Sequence, residues 1–179
     1  MTVVKSKPEV DLLASAKRVL RLEIEGLQGL SDGLDQSFIE ALDILSVMTG
    51  RAVVTGMGKS GHIARKIAAT MASTGTLAMF VHPGEASHGD LGMITDKDVI
   101  IALSNSGETA ELADLVAYAK RFKIPLIGIT GKSPSALASA ANVALVLPAI
   151  NEACPMGLAP TTSTTVMLAL GDALAVAML

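Results

Sequence analysis

Ala52-Val53-Val54-Thr55-Gly56-Met57-Gly58-Lys59-Ser60-Gly61-His62 is the stretch on which the fold turns. A β-prone run, Ala52–Thr55, meets a glycine-rich turn and then a helical stretch from Gly61 to Ser73, which is the opening half of a βαβ unit. The alternation continues. Apolar runs at Leu77–Val81, Val99–Leu103, Leu126–Ile129 and Val143–Leu147 are separated or followed by helical stretches near Glu108–Phe122, Pro134–Ala140 and Thr162–Met178. Strand runs that are apolar on both faces belong to a parallel sheet covered on each side by helices. The expected class is therefore α/β, a three-layer αβα sandwich with a five-stranded parallel sheet in the flavodoxin-like order 2-1-3-4-5. Right-handed crossovers bring every strand-to-helix loop to one sheet edge, and the reversal between strands one and three opens a crevice there. Its two walls are Gly56–Gly61 and Ser104–Thr109.

Upstream, Leu12, Leu13, Ala16, Val19, Leu20, Ile24 and Leu27 recur at intervals of three and four, predicting a helix from about Glu9 to Leu30. Gly29 and Ser31-Asp32-Gly33 are expected to stop it. Ser37-Phe38-Ile39-Glu40 has capping-box spacing, and a second amphipathic helix through Ile39, Leu42, Leu45 and Met48 is expected to close at Gly50. Residues 1–33 read as an N-terminal helical segment of the same unit, and 34–179 as the α/β domain proper.

Composition narrows the function. The chain has 179 residues, half of them hydrophobic and 17% charged, with a mean hydropathy of +0.52, so it can bury a large core. Fourteen basic against seventeen acidic side chains give a formal charge of −3, and aromatics are 2%, which together argue against a nucleic-acid partner. Met1–Glu9 has no apolar signal core, and the Val166–Leu179 stretch is broken by Gly171-Asp172 and falls short of the ~20 residues of a membrane span. A cytoplasmic, non-membrane chain that self-associates through its apolar helices is expected. The single cysteine, Cys154, allows no internal disulfide. It reads as a small packed side chain, because no neighbouring positive charge is present in sequence to activate it.

Gly56-Met57-Gly58-Lys59-Ser60-Gly61 matches G-x-G-x-x-G, but the following strand ends in His82-Pro83 rather than the carboxylate that a dinucleotide ribose requires. A Walker A loop is excluded because Val53 stands where its first glycine belongs. Tight packing of helix on strand accounts for the glycines and leaves Lys59 unexplained. Ser104-Asn105-Ser106-Gly107-Glu108-Thr109 closes a strand, and it supplies side-chain oxygens from Ser104, Asn105, Ser106 and Thr109 where ordinary capping consumes one. A single phosphate at the start of a helix is its natural guest. Glu111 sits in the first turn beyond, where a carboxylate competes with an anion for the same positive end. The His82–Gly92 loop crowds His82, Glu85 and His88 together, yet it lacks the short ligand spacing of a dedicated metal site. The loop from Pro148 to Thr161 offers Glu152, a carboxylate suited to acid–base work.

At this point the pattern resembles the sugar isomerase (SIS) domain family over about Leu34 to Leu179, through the Ser/Thr-rich loop 104–109. More narrowly, it resembles the arabinose-5-phosphate isomerases of that family, through Gly56–His62, His82-Pro83-Gly84-Glu85 to Leu91-Gly92, and Glu152-Ala153-Cys154-Pro155 to Ala159-Pro160-Thr161. The resemblance implies interconversion of D-ribulose 5-phosphate and D-arabinose 5-phosphate for synthesis of the sugar acid Kdo, in homotetramers, with no organic cofactor; the ligand spacing noted above adds the expectation of no metal. The same resemblance implies that Lys59, Glu111 and Glu152 are catalytic, that Glu85 and His88 lie in the same site, and that the loop of Ser104, Asn105, Ser106 and Thr109 holds the phosphate. Gly58, Ser60 and Glu85 are expected to contact substrate as well, with His88 as a further catalytic residue. An isomerase of this kind needs a proton carrier, for which Glu152 leads and Glu111 is partner or substitute. It also needs a stabiliser of negative oxygen, Lys59, and an acid–base for ring opening, His88. Members of this family usually continue into a segment with a further histidine and then tandem CBS domains. The present chain reads as a single SIS domain without them. Two other classes remain on the residues: a non-catalytic phosphosugar-binding regulatory module, which needs only the 104–109 loop, and a nicotinamide-dependent oxidoreductase, which rests on the glycine spacing.

Overall fold

The computed structural model describes residues 11–179, so the expected start of the first helix at Glu9 and the leader reading of Met1–Glu9 lie outside the described residues. Helix α1 (Leu12–Gly33) and α2 (Gln36–Ser46) precede the alternating part. That part runs β1 (Ala52–Gly56), α3 (Gly58–Ser73), β2 (Ala78–Val81), α4 (Pro83–Ala86), β3 (Val99–Ser104), α5 (Ala113–Phe122), β4 (Leu126–Thr130), α6 (Ala136–Ala140), β5 (Val143–Val146) and α7 (Thr162–Ala177). Two 3₁₀ turns, Asp90–Met93 and Ala110–Leu112, lie before β3 and α5.

All strand pairs are parallel and the order is β2-β1-β3-β4-β5, as the alternation predicts. The layers follow from the two-residue period of the strands. Val54, Ile101, Leu103, Ile127 and Ile129 face a core shared with α2, α3 and α7, whereas Val53, Ile100, Ala102 and Leu126 face α4, α5 and α6. Helix α1 packs on α7 outside the sheet.

The N-terminal helices depart from the sequence reading in three ways. Helix α1 passes through Gly29 and Ser31-Asp32 to Gly33, because Gly29 is the face pressed on Pro148 and a Gln28–Asp32 hydrogen bond of 2.8 Å supports the last turn. Helix α2 is capped by Asp35, whose carboxylate accepts from the Ser37 N–H at 2.9 Å and hydroxyl at 2.6 Å, not by a Ser37/Glu40 box. It ends at Ser46, not Gly50. Most of the apolar stripe of α1 also stays uncovered: Ala16 is exposed, and Leu12, Leu13, Leu20 and Ile24 are 58–78% exposed.

Helix α7 is parallel to α3, with Ser60 beside Met167, Ile67 against Gly171, and Lys66 paired to Asp172 at 2.6 Å. Both helices therefore begin at the carboxyl edge of the sheet. The close approach depends on Gly171, since a Cβ there would overlap the buried Ile67 side chain. Gly171→Ala is expected to lower stability by ~1–3 kcal/mol through overpacking, even though alanine favours a helix by about 1 kcal/mol over glycine. Urea unfolding checks it, and the penalty should disappear in an Ile67→Ala background.

Candidate functional site

The carboxyl edge of the sheet brings together the four segments singled out in the sequence. Direct pairing of β1 with β3, ending at Gly56 opposite Leu103, sets the 56–60 turn beside the 104–109 loop. Pairing of β1 with β2 sets the 82–92 segment on the other side of that turn. The Glu152 loop arrives with the start of α7, next to the start of α3. Lys59, Glu85, His88, Asn105, Ser106 and Glu111 are exposed on this edge, Thr109, Ser60 and Glu152 are half-buried, and Ser104 is buried.

Helix α3 begins at Gly58, three residues before the expected Gly61, so Gly58-Lys59-Ser60 form its first turn. Gly58 has φ +57°, a left-handed conformation that lets the strand turn directly into the helix. Its cap residue is Met57, whose side chain offers no acceptor, so these first-turn amides receive no side-chain cap. The Ser60 hydroxyl lies 3.8 Å from the Met167 sulfur of α7. That contact points Ser60 toward the helix–helix seam.

The 104–109 loop is held closed from within. Ser104 Oγ and Thr109 Oγ1 are 2.6 Å apart, the Gly107 N–H donates to Ser104 Oγ at 3.0 Å, and the Glu108 N–H donates to Ser106 Oγ at 3.1 Å. Gly107 sits at φ +70° against Ser135 and Thr130, a place where any side chain would collide. The expected helix over Glu108–Phe122 is interrupted. Thr109 is extended, the chain makes a 3₁₀ turn at Ala110–Leu112, and α5 starts only at Ala113. The Glu108 carboxylate instead accepts from the Ala136 N–H at 2.8 Å, at the start of α6. The N–H groups of Asn105, Ser106 and Thr109 find no acceptor among the described residues, and they belong to this loop rather than to the end of a long helix. Glu111 lies in the 3₁₀ turn beside them.

The His82–Gly92 segment is more ordered than the loop expected from its glycines. Pro83 fixes the first helical φ, His82 Nδ1 accepts from the Gly84 N–H at 3.2 Å, and the chain makes α4 followed by a 3₁₀ turn. Glu85 and His88 are three residues apart on that short helix and its exit, where the His88 N–H donates to the Glu85 carbonyl at 2.9 Å. No group of three or more metal-ligating side chains occurs among the described residues, and no helix there is long and apolar enough to cross a membrane.

Glu152 is placed by contacts remote in sequence. Its Oε2 accepts from the Thr161 N–H at 2.7 Å, the Thr161 hydroxyl at 3.0 Å and the Ser163 N–H at 3.4 Å, so it caps α7 from nine residues away. Oε1 accepts no hydrogen bond among the described residues. Partial burial pushes this carboxyl up, but the Ser163 and Thr161 groups facing Oε2 together outweigh it and hold Glu152 below the usual carboxylate range. The Ser163 hydroxyl is buried and closes no hydrogen bond among the described residues. Sequence reading missed Thr161, Ser163 and Arg18, whose guanidinium bonds the Ala153 carbonyl at 2.6 Å. Only Thr161 carried a signal, as a threonine just before an apolar helical run.

Cys154 corrects the expectation of a packed, inert thiol. It is half-buried and faces the backbone N–H groups of Ala159, Met156, Leu158 and Gly157, which pull the thiol below its usual range although no charged side chain adjoins it. Because a lowered value enlarges the thiolate fraction at any given pH, iodoacetamide alkylation followed by mass spectrometry should reach half its maximal rate at lower pH than for free cysteine. An equal or higher midpoint contradicts the amide effect.

The SIS domain family model matches residues 47–177. The chain is similar to arabinose 5-phosphate isomerase KdsD of Salmonella typhi, 56% identical over 173 residues that make up 97% of this chain and 53% of that protein. It is similar to KdsD of Escherichia coli strain K12, 53% identical over 179 residues, 100% of this chain and 55% of that one. The chain thus spans about half the length of the curated relatives it matches. Among solved structures, a protein of Escherichia coli CFT073 in complex with arabinose 5-phosphate superposes with TM-score 0.91 at 41% identity, covering 96% of this chain and 92% of that one. A phosphosugar isomerase from Bacteroides fragilis, described as involved in capsule formation, superposes with TM-score 0.88 at 37% identity over 93% and 88% of the two chains.

Proposed function

The chain belongs to the SIS domain family, and on that premise we propose that it is an aldose–ketose isomerase interconverting D-ribulose 5-phosphate and D-arabinose 5-phosphate and supplying Kdo synthesis. The observation that carries this reading is the state of Glu152, one oxygen pinned by the α7 cap and the other without a partner among the described residues, on the same sheet edge as Lys59 and the hydroxyl-rich loop. A carboxylate held in this way is ionised, oriented and still able to take a proton.

In the aldose-to-ketose direction, the phosphate binds the N–H groups of Asn105, Ser106 and Thr109 and the Ser104 and Thr109 hydroxyls, with Glu85 and the backbone of Gly58 and Ser60 in the first turn of α3 as further substrate contacts. Anchoring the remote end orients the carbon chain at the reacting end. His88 serves ring opening. Glu152 then takes the proton from C2 while Lys59 stabilises the negative charge that develops on the C1 oxygen, a proton passes from the C2 hydroxyl to the C1 oxygen, and the protonated carboxyl returns its proton to C1, leaving the carbonyl at C2. Glu111 is the partner or substitute carrier. Each step uses side chains of this chain, so no cofactor enters the scheme.

Proton NMR of arabinose 5-phosphate with the purified chain in D₂O should show isomer exchange, with deuterium entering at C2. Lys59→Ala and Glu152→Gln should each lower turnover by at least roughly 10²-fold with the fold retained. Near-normal rates in both variants would sink the assignment. Tight binding of the sugar phosphate without exchange would select a regulatory binding module instead.

The second part of the proposal is a homo-oligomer, a tetramer by the family resemblance. The exposed Leu12, Leu13, Leu20 and Ile24 of α1 and Val176 and Leu179 at the end of the chain support it, because such surface gains from a second copy. Light scattering at micromolar concentration should report a multiple of 18.3 kDa. A monomer contradicts this part alone.

A further inference from the structure

We propose that Arg18, on the N-terminal helix, is a positioning residue for Glu152, fixing through the Ala153 peptide where the free oxygen of that carboxylate points. The inference rests on the reading of Glu152 as proton carrier and extends it to a helix that precedes the matched family region. The two peptide groups that flank Ala153, the residue after Glu152, are each held by a different element. Arg18 Nη2 donates to the Ala153 carbonyl at 2.6 Å from α1, and the Ala153 N–H donates to Thr161 Oγ1 at 2.9 Å at the start of α7. The Thr161 hydroxyl in turn donates a hydrogen bond to Glu152 Oε2 at 3.0 Å. Arg18, Ala153, Thr161 and Glu152 therefore form one connected hydrogen-bonded path that ends on the carboxylate.

The arrangement is built rather than incidental. Ala153 is 1% exposed, so its carbonyl has little access to replacement water, and a guanidinium donor at this distance makes a charge-assisted bond. Helix α1 is registered on α7 at Gly26, where an added Cβ would lie 2.8 Å from Thr162 and 3.0 Å from Val166. That contact fixes how far along the Glu152 loop Arg18 reaches. A carboxylate pinned at Oε2 alone can still swing with its backbone, and holding the next peptide removes that freedom. Displacement of a reacting group by about 1 Å can cost up to ~10²-fold in rate.

The charged groups that face this loop are few. Arg18 contacts it from α1, Glu25 of α1 lines the cleft beside Asn151, Lys59 opens the neighbouring α3, and α7 has no charged residue before Asp172. Titration of Glu152 consequently reports on the α7 cap, to which Arg18 connects only through Ala153 and Thr161.

The test uses the whole chain with Arg18→Met, which keeps the stem and removes every donor, Arg18→Lys, which keeps one charged donor, Glu152→Gln, and the Arg18→Met/Glu152→Gln double variant. Circular dichroism and thermal melting verify folding. With arabinose 5-phosphate, Arg18→Met should lower kcat about tenfold with KM within roughly twofold, Arg18→Lys should recover part of the loss, and Arg18→Met should add no more than about twofold in the Glu152→Gln background. Carbon NMR of chain labelled at the glutamate carboxyls, with Glu152 assigned by its loss in Glu152→Gln, supplies a readout independent of turnover. Arg18→Met should return the Glu152 titration toward the ordinary glutamate range, and Arg18→Lys should move it less. An unchanged Glu152 titration in Arg18→Met, or an equal loss of kcat with and without Glu152, overturns the proposal. Should Arg18→Met not fold, the Arg18→Lys titration decides in the same sense. Normal turnover in Glu152→Gln identifies failure of the underlying reading, while the titration still judges the role of Arg18.

Discussion

The parallel pairing of β1 with β3 is the constraint from which the rest of the molecule follows. From Ala52 opposite Val99 to Gly56 opposite Leu103, two strands remote in sequence share a ladder, and β2 is displaced to the far side of β1. The connections leaving β1 and β3 then depart to opposite faces, and a groove is left between them at the carboxyl edge. A loop of small hydroxylic residues lies on one side of the groove and the first turn of α3 on the other. The chemistry of the site depends on that neighbourhood before it depends on any single side chain.

What can be read from sequence is whatever the backbone enforces locally. All five strands lie within a residue of the sequence reading at each end, because apolar β-branched runs between turns have no comfortable alternative, and β1 gains only Gly56. Features decided by remote partners stay hidden. Glu152 is legible as a candidate proton carrier, but not its placement, because the Thr161 and Ser163 amides that hold it start α7 across a long loop. Arg18 carries no signal at all, its partner being 135 residues away. Gly29 looks like a terminator and is a contact surface for Pro148. Cys154 looks inert because sequence lists charges, whereas backbone amides do the work of a cation here. The Glu108–Phe122 helix is broken for a similar reason, since the Glu108 side chain is taken up at α6.

Helix α1 shows how a segment outside a family's common core can become part of its working surface. One end of its contact is steric, through Gly26 on α7, and the other is polar, through Arg18 on the Ala153 carbonyl. Its opposite side carries uncovered leucines and an isoleucine. A single helix thus joins the support of the Glu152 loop on one side to an exposed apolar face on the other.

The side-by-side, same-direction course of α3 and α7 has an electrostatic side. Each helix carries roughly half a positive charge at its first turn, and like ends held together repel, an opposition that the Lys66–Asp172 pair and the close seam at Gly171 help to offset. On α7 the positive end is neutralised by Glu152. On α3 Met57 provides nothing to neutralise it. The groove therefore retains a background potential written into peptide bonds, favouring a doubly charged guest even where every lysine has been replaced.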